Sequence, residues 1–96
     1  MRVRYLPRAF AELEAIHDYL SSRNPQAALR TTAAIRSSII ALTDFPETGQ
    51  PADLQNVRVL RSAHHNYHVY YSIRGDEIQI PHIRHSARKP AVQGEL

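Results

Sequence analysis

Beyond Pro7 the hydrophobic period of this chain changes once. Between residues 8 and 42 apolar side chains recur at helical spacing, and between residues 57 and 84 they alternate at the spacing of a strand. Both patterns share a chain of 96 residues, which has room for one modest core. Helical and extended elements must therefore bury their apolar sides against each other in an α+β layer.

The elements follow from local signals. Arg2-Val3-Arg4-Tyr5-Leu6 alternates and stops at Pro7, which predicts a short first strand. Ala9, Leu13, Ile16 and Leu20 then mark a first helix, with Glu12, Glu14 and Asp18 on its other faces, ending near Ser21 to Arg23. Asn24-Pro25 pairs a favoured capping residue with a proline where its missing N–H costs nothing, so a second helix starts there. Its stripe is Ala28, Thr32, Ile35, Ile39 and Leu42, and it runs to Phe45-Pro46, with Gly49 and Pro51 read as a turn. So short a link makes the two helices an antiparallel hairpin.

Three strands follow. Val57 to Leu60 is the first of them; Tyr67, Val69, Tyr71 and Ile73 alternate in the next; Gly75-Asp76 turns the chain; Glu77 to Arg84 is the last. Consecutive strands of this kind form an antiparallel meander, and with the first strand they make one sheet. Ile78 and Ile80 share a face while Ile83 is out of phase, so a bulge near Pro81 is expected to return Ile83 to the core. Residues 1–90 are expected to form one domain, and 91–96, which lack periodicity, a loose tail.

Composition excludes several kinds of chemistry. Cysteine is absent, which removes disulfides, thiolate metal sites and a cysteine nucleophile, and fits a cytoplasmic home. No stretch approaches the length of a membrane helix, and Met1 to Tyr5 is too short and too charged to open a signal peptide. The glycines, Gly49, Gly75 and Gly94, are too scattered for a phosphate loop, so no nucleotide cofactor is expected. Nor is a metal expected: His64, His65, His68 and His82 invite that reading, but His65 and His68 would point to opposite faces of a strand.

Charge is unevenly spread. Residues 1–57 carry six arginines against six acids, whereas residues 58–89 carry Arg58, Arg61, Arg74, Arg84, Arg88 and Lys89 against Asp76 and Glu77. Five of the six histidines also lie after residue 57. Such a half suits an acidic partner, a nucleic acid or an acidic protein surface, or else is a solvated basic face without a role. Tyr67 and Tyr71 share the core face of their strand, and Tyr70 faces the other way, where it is expected to be available for contact.

The ordered set of motifs resembles the ParE/RelE toxin superfamily. The pieces are Ala9, Leu13, Ile16, Tyr19 and Leu20 of the first helix, the Asn-Pro-x-Ala-Ala opening of the second, and the exit at Leu42, Phe45, Pro46 and Gly49. Arg58 and Arg61, the Tyr-x-Val-x-Tyr-x-Ile strand, and the ending at Ile83, His85, Arg88 and Pro90 complete them. The resemblance implies a toxin of a bacterial type II toxin–antitoxin system, paired with a cognate antitoxin in a hetero-oligomer. ParE-like members poison DNA gyrase without catalysis, and RelE-like members cleave messenger RNA on the ribosome. The helical hairpin and the Phe-Pro-x-x-Gly exit look ParE-like, and the last tyrosine, Tyr71, lies too early to serve a C-terminal RNase site. In the RelE-like alternative His85, Arg88 and Lys89 would be the catalytic groups, removing the 2′-hydroxyl proton and stabilising phosphorane charge. The structural alternative makes His85 a strand-end anchor. Target or antitoxin contact is expected at Arg58, Arg61, Tyr70, Arg84 and Arg88, for which ordinary surface ion pairing is the other reading. The antitoxin is expected to be amphipathic and acidic, laying apolar side chains along the helical hairpin.

Overall fold

A computed structural model describes residues 1–62 and 66–86. The elements are β1 (Arg2–Tyr5), α1 (Pro7–Ser21), α2 (Pro25–Ala41), β2 (Gln50–Pro51), β3 (Arg58–Ser62), β4 (Tyr67–Arg74) and β5 (Glu77–His85). They form one sheet in the order β1-β5-β4-β3-β2, with β1 parallel to β5 and the other pairs antiparallel. The α+β architecture agrees with the sequence pattern. The sheet has one strand more than the pattern predicts, because Gln50 and Pro51, read as part of a turn, pair with Val59 and Arg58. Proline is tolerated there because β2 is an edge and needs no ladder donor on its outer side.

Both helices begin at prolines in the first turn, and Asn24 caps α2 by accepting from the Ala27 N–H at 3.1 Å. Their apolar stripes meet the sheet: Ala9, Leu13, Ile35, Ile39 and Leu42 bury against Val69, Tyr71, Ile78, Ile80 and Ile83. The register explains how Ile83 joins them. Tyr70 pairs with His82 and Ser72 with Gln79, so Ile80 and Pro81 together stand opposite Tyr71. That bulge shifts the alternation by one residue and leaves Ile83 only 2% exposed.

The Phe-Pro-x-x-Gly segment is anchored to the core by Tyr71. Its hydroxyl donates to the Pro46 carbonyl at 2.7 Å and accepts from the Gly49 N–H at 2.9 Å. A Cβ at Gly49 would lie 2.7 Å from that hydroxyl and 2.9 Å from the Val59 carbonyl, so only glycine fits. The tail at 91–96 lies outside the described residues.

Candidate functional site: a basic sheet face and an apolar groove

Alternation along the strands sorts the candidate residues onto two faces. Arg58 is the Cα partner of Tyr71 and shares its helix-side face. Its guanidinium donates to the Gly49 carbonyl at 2.6 Å and the Glu47 carbonyl at 3.4 Å, so Arg58 clamps the 46–50 loop. Arg61 is exposed on the opposite face, opposite His68, and His68 in turn is opposite Arg84. Three basic side chains thus start from neighbouring positions on β3, β4 and β5. Burial first, and then the positive charges of Arg61 and His85, hold the His68 pKa below its ordinary value.

Tyr70 corrects the expectation that it is available for contact. It does face away from the helices, but Leu54, Ala52, Val57 and Val59 close over it in a second small cluster, leaving it 3% exposed. Its ring stacks on His82, with centroids 5.6 Å apart and planes 27° from parallel. A tyrosine so covered cannot stack on an incoming base. Arg88, Lys89, His64 and His65 lie outside the described residues, so the grouping of His85 with Arg88 and Lys89 does too.

Sequence reasoning missed Glu12 and its partner His82, which are 70 residues apart. Glu12 reaches from α1 to the edge of β5, where Oε1 accepts from the Ile83 backbone N–H at 2.9 Å. The His82 Nδ1 lies 2.8 Å from Oε1 and 2.7 Å from Oε2, and Arg8 Nε stands 3.6 Å from Oε2. His82 is 1% exposed, and its Nε2 has no hydrogen-bond partner among the described residues. Burial lowers its pKa, against the opposing pull of the Glu12 hydrogen bond. The neutral ring donating from Nδ1 is therefore the state that fits.

Beside this pair a groove of about 750 Å³ opens between α1 and the end of β5, lined by Ala15, Ile16, Tyr19, Leu20, Tyr67 and Ile83. Glu12, Arg84 and His85 complete its lining. The exposed His85 packs edge-on against Tyr67, with centroids 5.2 Å apart, while the Arg23 guanidinium covers Tyr19 at 3.9 Å. The site therefore joins apolar walls to cationic rims, a combination suited to holding an amphipathic acidic segment.

A helical hairpin packed on one face of a single sheet, with Arg61, His68 and Arg84 starting from its other face, defines a small α+β class, and comparison with known proteins identifies the family. The family model for the ParE toxin of type II toxin–antitoxin systems, parDE, matches residues 3–90. The chain belongs to this ParE toxin family, as a type II toxin–antitoxin toxin. It is 32% identical over 85 residues to the putative toxin Y4kP of Sinorhizobium fredii, covering 88% of each. Toxin RelE2 of Caulobacter vibrioides is 32% identical over 83 residues, 84% of this chain and 90% of that protein. Among solved structures, the chromosomal ParDE toxin–antitoxin system from P. aeruginosa superposes with a TM-score of 0.79 at 26% identity, covering 88% of this chain and 95% of that one.

Proposed function

We propose that this protein arrests bacterial growth by binding DNA gyrase and that a cognate antitoxin, seated in the α1–β5 groove, neutralises it. The family match across residues 3–90 carries the reading. Two features support binding rather than catalysis. Tyr70 and Arg58 are committed to packing and to the 46–50 loop, and His85 packs on Tyr67 in the manner of a strand-end anchor. The solved ParDE neighbour supports an antitoxin partner, and the groove offers apolar walls that such a segment would cover. Arg61 then remains exposed on the sheet face for carboxylates of the target or the antitoxin.

Supercoiling by purified gyrase in the presence of the protein tests this reading: inhibition at toxin excess supports it, and unimpeded supercoiling overturns it. A ribosome-dependent messenger RNA endonuclease is the second reading, favoured by the likeness to Toxin RelE2 and by the position of His85 beside Arg84 at the groove. Primer extension on translated messages after antitoxin-free induction separates the two, since cuts at the decoding site belong to the second alone.

A further inference from the structure

The outer side of the helical hairpin takes no part in the core or in the α1–β5 groove. Leu29, Ala33, Arg36 and Ile40 recur at helical spacing, so they share one stripe of α2, and all of them are exposed. Leu29 is 63% and Ile40 62% exposed, and Phe10 on α1 is 49% exposed. Between the helices a cleft of about 280 Å³ is lined by Leu13, Glu14, His17, Asp18, Thr32 and Arg36. Charge on this side is divided by helix: α1 contributes Glu14 and Asp18, whereas α2 holds Arg30 and Arg36 and no acid. Glu14 and Arg36 line the same cleft, yet neither forms an ion pair with a described residue.

A surface divided in this way selects its partner. An acidic segment or a nucleic acid would be repelled by Glu14 and Asp18, and a basic segment by Arg30 and Arg36. The complement is a surface that carries the same two stripes exchanged, and a two-fold axis supplies it from the chain itself. With the axis parallel to the helices, α1 of one copy lies along α2 of the other, and acids meet arginines twice. The levels of the side chains agree. The helices are antiparallel and Glu14 shares a cleft with Arg36, so one turn back along α1 and one turn on along α2 bring Phe10 level with Ile40. The exchange therefore sets Phe10 of each copy on Ile40 of the other, and Glu14 on Arg36.

We propose that the outer face of the α1–α2 hairpin is an interface between two copies of this chain, related by a two-fold axis parallel to the helices. The helices are about 22 Å long and lie roughly 10 Å apart, so each copy covers on the order of 450 Å². That area is at the low end for a specific interface, which sets the dissociation constant on the order of 10–100 µM. The groove residues Glu12, Ile16, Tyr19 and Leu20 lie on the other flank of α1 and stay open in the dimer.

Sedimentation equilibrium of the purified chain from about 5 to 500 µM should show monomer and dimer together. Ile40→Glu, which buries a carboxylate against Phe10, should weaken the dimer by more than about tenfold. Glu14→Arg and Arg36→Glu should each weaken it about tenfold, because each sets like charges opposite one another twice. The double variant Glu14→Arg/Arg36→Glu exchanges the signs on both copies and should return to within about threefold of the native chain. All three positions are exposed, so far-UV dichroism should stay native in every variant. Affinity for the product of the adjoining gene, read by calorimetry on Ile40→Glu, should stay within about threefold of the native value. A chain that is monomeric throughout, a dimer indifferent to Ile40→Glu, or a double variant no better than the single ones overturns the proposal. A monomeric chain whose affinity for the adjoining product falls with Ile40→Glu also overturns it, and gives the face to that product instead.

Discussion

The two halves of β5 differ in what completes them. Ile78 and Ile80 lie between β1 and β4, beneath helices, and are fully buried. Past the bulge, Ile83 pairs with Val69 of β4 on one side and on the other gives its N–H to the Glu12 carboxylate, beside a groove. The first half is held by the long-range apolar packing that makes the fold. At Ile83 the second has a side-chain carboxylate where the first has a strand, which makes it the cheaper half to rearrange.

The sharpest way to break this contrast is to cut into each half. Ile80→Ala removes fully buried methylene groups from a close-packed site and should cost about 2–5 kcal/mol in urea unfolding. A loss below about 1 kcal/mol would mean that the paired half is not the anchor. Glu12→Ala should cost less, about 1–3 kcal/mol, because it strands the Ile83 N–H and the His82 Nδ1. Its effect should also be local: amide exchange should accelerate at Ile83–His85 while Ile78 and Ile80 keep their protection. Uniform acceleration along β5 would show that the halves unfold as one.

The contrast was only partly legible in the sequence. The stripe Ala28, Thr32, Ile35, Ile39 and Leu42, the Asn24 cap and the bulge at Pro81 are local features, and periodicity exposes them. Pairing of β1 with β5 spans the whole chain, and nothing in Arg2–Tyr5 specifies which edge it joins or that it is parallel. Alternation places Tyr70 on the open face but does not show that the 52–57 segment folds over it. Arg58 has the composition of a surface contact and is recruited instead by the loop carbonyls that Tyr71 holds nearby. Glu12 fell on a polar helix face, and its use depends on where β1 leaves the sheet, which is a property of the assembled fold.

Acid should weaken the second half. The His82 pKa is lowered by burial, so the native chain binds fewer protons than the unfolded chain between its folded value and the ordinary histidine value of about 6.5. Stability from this group is complete above about pH 6.5 and is lost as pH falls through that window, at no more than about 1.4 kcal/mol per pH unit. His68, also shifted down but more exposed, adds in the same direction. Unfolding at pH 7.5 and 5.5 in the native chain and in His82→Gln measures the contribution. An equal loss in both would assign the acid sensitivity elsewhere.

The smallest effect on stability should come from Arg61→Ala, and it separates the sheet's basic face from the loop clamp. Arg61 is exposed and forms no ion pair with an acid among the described residues, so its removal should change unfolding by less than about 0.5 kcal/mol. Relief of the repulsion on His68 should move that histidine's pKa upward, toward its ordinary value, which an NMR titration of the ring reads directly. Arg58→Ala is the contrast: it frees the Gly49 carbonyl and should destabilise the 46–50 loop by about 1 kcal/mol before any partner is present. Measured against gyrase or the antitoxin, Arg61→Ala should weaken affinity without this cost to stability, and more so at low salt, where surface charge is least screened. If Arg61→Ala and Arg58→Ala lower stability equally, the face carrying Arg61 is structural. If Arg61→Ala leaves both affinities unchanged at low salt, Arg61 holds neither partner, and the groove between α1 and β5 is left as the candidate surface.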